Sequence, residues 1–224
     1  MFNLTGKMLN NYTYIYLHGF ASSPKSNKAI YLRDRFAEIH LNLNILDLNQ
    51  NGFYNLTLTR QIHQVESEIT KKSTPIILIG SSFGGLTSTF LAERNANIKA
   101  IILLAPAFKF LSHWQQILGE ENLQKWQKRG NYWIYHYGEK KYSLLSYDFI
   151  VDLNKYEEKN LKLTLPTLII HGLNDNVIPI QASREFVAKR SWIELIELDT
   201  DHTLGNVMTK VWQEIYQFLN QDFS

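Results

Sequence analysis

The stretch Ile76-Ile77-Leu78-Ile79-Gly80-Ser81-Ser82-Phe83-Gly84-Gly85 decides the reading of the whole chain. Four β-forming apolar residues end at a glycine, and a segment of helical period follows to about Arg94. An apolar run without polar alternation is the mark of a strand covered on both faces, and a strand passing straight into a helix is half of a β-α-β crossover. The junction contains a G-x-S-x-G spacing centred on Ser82. A serine on so sharp a turn adopts strained backbone, and the residues two positions away on either side must lack a Cβ to let the chain pass. Gly80 and Gly84 meet that need, whereas Ser81 would be flanked at the same spacing by Ile79 and Phe83. The pattern predicts that Ser82 projects its hydroxyl above a sheet edge, with a helix N-terminus behind it favouring developing negative charge.

Working outward, the same rhythm recurs. Apolar runs at Tyr12 to Leu17, Asn44 to Leu48, Ala100 to Leu104, Thr167 to Ile170 and Ile193 to Leu198 give, with Ile76 to Ile79, six strands. Between them lie segments of helical period. Ser23-Pro24 supplies an N-cap and a first-turn proline for a helix running to about Ile39, and Leu58, Ile62, Val65 and Ile69 form one apolar stripe that must face a sheet. Gln181 to Lys189 makes a further helix, and Val207, Val211, Ile215 and Leu219 line a closing one. The fold expected is α/β: a doubly wound, mainly parallel six-stranded sheet with helices on both faces, residues 1–224 forming one domain.

From about Phe108 to Leu165 the rhythm breaks. This stretch holds Trp114, Trp126 and Trp133 and a run of tyrosines, and it is too long for an ordinary loop. A helical piece around Trp114 to Lys128 and a hairpin-like piece from Tyr132 to Leu145 would make a small cap over the carboxyl edge of the sheet; the alternative is an insertion packed only against itself. Composition narrows the function. The 224 residues include 45% hydrophobic side chains and no cysteine, which removes thiol nucleophiles and cysteine-held metals and suits a reducing compartment, so a cytoplasmic location is expected. Lys+Arg 23 against Asp+Glu 21 leaves a net charge of +2 and no basic footprint for nucleic acid. Met1 to Asn10 lacks the apolar core of a signal peptide, and no stretch is long enough to span a bilayer.

Ligands of an open parallel sheet collect at the carboxyl ends of its strands, so the partners of Ser82 are sought there. An unaided serine hydroxyl is a poor nucleophile and needs a base, itself oriented by an acid. After the Thr167 strand stands His171-Gly172-Leu173-Asn174-Asp175, which offers Asp175 as the acid. After the Ile193 strand stands Asp199-Thr200-Asp201-His202, which offers His202 as the base. Asp199 and Asp201 read as turn residues, and Ala105-Pro106-Ala107-Phe108 carries no carboxylate. His18 and His171 precede glycines at strand ends, where structural hydrogen bonding is expected, and His40, His63, His113 and His136 read as surface or packing residues. Two backbone N–H groups should complete an oxyanion hole: that of Phe83, next to the nucleophile, and that of Phe20, in the loop His18-Gly19-Phe20 after the first strand.

At these residues the sequence resembles the α/β-hydrolase superfamily, and within it the small bacterial YqiA-like serine esterases. Tyr16-Leu17-His18-Gly19-Phe20-Ala21-Ser22-Ser23-Pro24-Lys25-Ser26 is similar to that group's opening signature, followed by the Ser82 elbow and the Asp175 and His202 segments. The resemblance covers nearly the whole chain. It implies hydrolysis of carboxylic ester or thioester bonds of a small-molecule substrate, with neither metal nor organic cofactor. The chain departs from larger hydrolases in starting directly at the strand before the oxyanion loop. Amide, peptide or carbon–carbon hydrolysis on the same residues, or a binding module on the same scaffold, are the competing expectations; the oligomeric state is not legible.

Overall fold

Parallel pairing joins the apolar runs into one six-stranded sheet in this computed structural model, which describes residues 9–50, 52–162, 164–221 and 223. Along the chain come β1 (Thr13–Leu17), α1 (Asn27–Glu38), β2 (Leu43–Leu46), α2 (Leu58–Ile69), β3 (Ile76–Ser81), α3 (Phe83–Arg94) and β4 (Ile98–Leu104). An insertion follows, formed by α4 (Phe110–Leu118), α5 (Glu120–Arg129), β5 (Asn131–His136), β6 (Lys141–Ser146) and α6 (Asp148–Leu153). The sheet resumes with β7 (Thr167–Gly172), α7 (Ile180–Val187), β8 (Ile193–Leu198) and α8 (Met208–Leu219). The strand order is β2-β1-β3-β4-β7-β8, all parallel. The chain leaves β2, passes over β1 and enters β3, so the direction of winding reverses between β1 and β3 and opens a crevice at their carboxyl ends.

Alternate residues of each strand feed opposite layers, as the pleat requires. Ile77 and Ile79 pack with Leu32 and Phe36 of α1 and with Val211 and Ile215 of α8. Ile76 and Leu78 pack on the other face with Ile62, Val65 and Ile69 of α2. Each fully buried aliphatic side chain of that stripe contributes about 1.5–3 kcal/mol of transfer free energy. No described helix is long and apolar enough to cross a membrane. Residues 1–8, most of the segment read as lacking a signal peptide's core, lie outside the described residues.

Three of the differences from the sequence expectation have a clear local cause. Helix α1 begins at Asn27 rather than after Ser23-Pro24, because Ser23 and Pro24 lie in a preceding turn in which the Ser26 N–H donates to the Ser23 carbonyl. Ser26 is the N-cap, accepting from the Ala29 N–H. The second strand ends at Leu46, where Asp47 and Leu48 peel away and the Leu48 N–H donates to Nε2 of His18 at 3.0 Å. The helix expected around Trp114 to Lys128 is two helices, broken at Gly119, whose φ of 75° belongs to the left-handed region that favours glycine.

The insertion does not pack only against itself. Trp126 is fully buried, its Nε1–H donating to the Leu145 carbonyl, and Phe110, Leu145 and Phe149 share one apolar core with Phe83 and the sheet. Buried Asp152 of α6 accepts from the Thr59 N–H at 2.8 Å and the Thr59 hydroxyl at 2.6 Å, placing a carboxylate at the N-terminal turn of α2. The β5–β6 hairpin leans on the loop after β1: the Gly138 N–H donates to the Ala21 carbonyl at 3.2 Å.

Candidate active site

Strand β3 delivers Ser82 to the crevice. Its φ of 52° and ψ of −117° place it in the strained backbone that the flanking glycines imply. A Cβ on Gly80 would lie 2.4 Å from the Gly84 carbonyl oxygen, and one on Gly84 would lie 2.1 Å from the Leu17 carbonyl oxygen. Neither position has room for one. Ser82 is also the residue preceding α3, where a serine hydroxyl ordinarily caps the helix. Here it makes no such bond. The twisted backbone turns Oγ instead toward His202, whose Nε2 lies 3.0 Å away.

His202 stands in the loop after β8, and its Nδ1 is 2.7 Å from Oδ2 of Asp175, in the loop after β7. The structure thus brings together the three side chains singled out in the sequence. Nδ1 facing a carboxylate carries the hydrogen, leaving Nε2 free to accept from the Ser82 hydroxyl. Asp175 is buried and accepts four donors: Nδ1–H of His202, Nε2–H of His171 at 3.1 Å, and the Val177 and Ile178 N–H groups at 2.8 Å each. Burial pushes its carboxyl pKa up, but the hydrogen bonds from His171, His202 and Ile178 outweigh burial and hold it well below the usual carboxylate range. The acid therefore stays ionised and correctly aimed.

The loop after β1 crosses directly above the elbow. A Cβ on Gly19 would fall 3.2 Å from the Ser82 Cβ and 3.8 Å from its Oγ, so the absence of a side chain there lets the loop approach the hydroxyl. Phe20 follows, and neither its backbone N–H nor that of Phe83 donates to another group among the described residues. The Phe20 ring is fixed by aromatic neighbours on three sides, with centroids 5.2 Å from Trp114, 5.3 Å from Phe149 and 5.5 Å from Phe53.

Three supporting residues escaped the sequence reading of the site. His171 was assigned a structural hydrogen bond, and it has one, with the Ser183 hydroxyl at 2.7 Å; its other nitrogen faces Asp175 and orients the acid. Its place four residues before the acid, at a strand end, was the available signal. His18 bonds the Gly19 carbonyl through Nδ1 at 2.9 Å and accepts from Leu48 through Nε2, fixing the start of the loop that carries Phe20. Lys28 of α1 reaches across to donate from Nζ to the His202 carbonyl at 3.3 Å. Burial lowers its ammonium pKa to about 8, against the opposing pull of Asp175 and Asp201. No spacing in the chain announces that contact. A groove of about 1120 Å³ lies elsewhere, between the insertion and α7, and Ser82, Asp175 and His202 do not line it.

An all-parallel sheet wound in this order, with a serine elbow after β3 facing a histidine after the last strand, is the α/β-hydrolase fold. Residues 13–220 match the Uncharacterised protein family (UPF0227), and the chain belongs to that family. A Mycoplasma pneumoniae protein named "Putative esterase/lipase 2" is 29% identical over 212 residues, spanning 80% of this chain and 77% of its own. Among solved structures, Est1E from Butyrivibrio proteoclasticus with ferulic acid bound superposes with a TM-score of 0.78 at 22% identity, over 92% of this chain and 87% of that one. Mouse alpha/beta hydrolase domain-containing protein 10 gives 0.74 at 20% identity, over 92% and 90%. At these identities the structures show a shared fold.

Proposed function

We propose that the protein is a serine hydrolase that cleaves carboxylic ester or thioester bonds through an acyl-enzyme, with Ser82 as nucleophile, His202 as base and Asp175 as the orienting acid. The observation that carries the proposal is the unbroken chain from Ser82 Oγ to His202 Nε2 at 3.0 Å and from His202 Nδ1 to Asp175 Oδ2 at 2.7 Å, at the edge of the sheet where ligands collect. The likeness to a protein named as an esterase/lipase supports the same class. Ser82 Oγ attacks the carbonyl carbon as its proton passes to His202 Nε2. The carbonyl oxygen gains the negative charge and is held by the N–H groups of Phe20 and Phe83. The tetrahedral centre collapses, the alcohol or thiol leaves with the proton from His202, and the acyl group stays on Oγ. Water then repeats the sequence, giving its proton to Nε2, and the carboxylic acid leaves as Ser82 recovers its hydrogen. On this reading the chain is one catalytic domain and residues 108–165 are its cap.

The test is direct. Ser82→Ala should lower kcat on a p-nitrophenyl ester by roughly four to six orders of magnitude, because the members of such a triad act as a unit. A fluorophosphonate should add a single mass to the wild type, on Ser82, and none to the variant. A Ser82→Ala protein that keeps most of its esterase activity would refute the assignment.

A further inference from the structure

Two-stranded antiparallel sheets ordinarily set an apolar face inward and a polar face outward. The β5–β6 hairpin breaks that rule. Its register pairs Trp133 with Leu144 and Tyr135 with Tyr142, which puts these side chains on one face; Tyr132, Ile134 and Leu145 occupy the other and pack into the core. The outer face is therefore also apolar, yet Trp133 is 59% exposed, Tyr142 65%, and Tyr137 in the adjoining turn 73%. Among the rings of the described residues, that of Tyr135 meets those of Tyr137 and Tyr142. Side chains of this kind, with a large apolar body and a polar tip, suit a boundary between water and hydrocarbon.

The charges that adjoin the hairpin in the chain point to the occupant. Lys128 and Arg129 close α5 just before the hairpin, Lys140 sits in its turn, and none of the three forms an ion pair among the described residues. The one acid of the hairpin, Glu139, is taken up by Lys141 at 2.9 Å. A second copy of the chain laid on this face would bring the same free cations together. An anionic bilayer surface complements them and accepts the rings at its headgroup level.

We infer that the aromatic face of the β5–β6 hairpin is a docking surface for anionic lipid bilayers. The hairpin turn rests on Ser22 and Ser23, in the same loop as Phe20. The attachment is peripheral and reversible, made by a few rings and charges.

Binding is measured on the Ser82→Ala protein, so that the result is independent of hydrolysis. Flotation with phosphatidylcholine vesicles containing phosphatidylglycerol should carry the protein up, and pure phosphatidylcholine vesicles should carry roughly a hundredfold less, since each of the three basic residues contributes about 1 kcal/mol near an anionic surface. The pair Trp133→Ser with Tyr137→Ser should reduce binding about tenfold or more through lost apolar burial. Lys128→Gln with Lys140→Gln should reduce it roughly thirtyfold and weaken its salt dependence, Arg129 being left. Trp192→Ser, a change of an exposed ring at the opposite, amino end of the sheet, should leave it unaltered. The proposal is overturned by failure to float with either vesicle, by equal binding to both, or by unchanged binding of the Trp133/Tyr137 variant. It is likewise overturned if sedimentation shows a dimer that this variant dissolves, because the occupant would then be a second copy.

Discussion

Substituting Gly138 by alanine tests whether the insertion holds the loop that carries Phe20 in place. A Cβ at that position would stand 2.8 Å from the Ser23 Cβ, 2.9 Å from the Ser22 carbonyl carbon and 3.0 Å from its oxygen. Non-bonded carbons settle near 3.5–4.0 Å, so hairpin and loop must part by about 0.7–1 Å. The atoms met are backbone and Cβ, which cannot swing aside as the end of a long side chain could. Nor is the loop free to retreat as a whole: Asn49 Nδ2 holds the Ser22 carbonyl at 2.7 Å and His18 holds that of Gly19 at 2.9 Å. The displacement must therefore be absorbed near Ala21, already at a φ of 49°, and Phe20, whose N–H we assign to the oxyanion. Misplacing a reacting group by about 1 Å costs up to ~10²-fold, and removing one oxyanion donor costs ~10²–10³-fold. Gly138→Ala should thus lower kcat on a p-nitrophenyl ester by roughly ten- to hundred-fold, with KM altered little because the lost contact forms in the transition state. Lys140→Gly, in the same turn, should retain full activity. The melting temperature of both variants should stay within a few degrees of wild type, since the turn is exposed. A folded Gly138→Ala protein with kcat within about twofold of wild type would refute the reasoning, since a loss that small is below any donor displacement worth the name.

Three further substitutions probe the site and its supports. Gly84→Ala drives a Cβ to 2.1 Å from the Leu17 carbonyl oxygen, so thermal or denaturant unfolding should show a loss on the order of 4 kcal/mol or more, or no folded protein at all. His171→Phe removes a donor from Asp175 and leaves the buried Ser183 hydroxyl without its partner. It should cost about 1–3 kcal/mol of stability, and it should lower kcat while fluorophosphonate labelling still falls on Ser82. Glu158 tests a different link: burial raises its carboxyl pKa to about 7, against the opposing bond from the Lys109 N–H. The folded chain then holds this proton more tightly than the unfolded one, so the group's contribution falls as pH rises from its ordinary value near 4.5 through 7. Glu158→Gln keeps an acceptor for Lys109 and removes the titration, so its melting temperature should gain on wild type between pH 5 and pH 8 and match it below pH 4. Parallel curves would show that Glu158 titrates normally.

The features legible in the chain were those fixed by local sterics and by strand ends. Gly80 and Gly84 announce the elbow because a Cβ two residues either side of Ser82 collides with backbone, a constraint that acts within ten residues and leaves its mark there. Asp175 and His202 could be placed near Ser82 because a parallel sheet aligns its carboxyl ends whatever lies between them, so position in the strand order stands in for distance in space. The residues that hold these groups in place follow no such rule. Lys28 reaches the His202 carbonyl from a helix 174 positions earlier, and Gly138 meets Ser22 and Ser23 from a hairpin whose docking depends on the burial of Trp126 and Leu145. Neither contact alters the periodicity of its own segment. The hairpin was visible only as an aromatic run, because apolar residues on both faces erase the alternation by which a strand's sides are told apart. That same ambiguity carries meaning once the register is known. One face is spent on the core, where Tyr132 lies against Trp126, and the other, with Trp133 and Tyr142, is left for a surface outside the molecule.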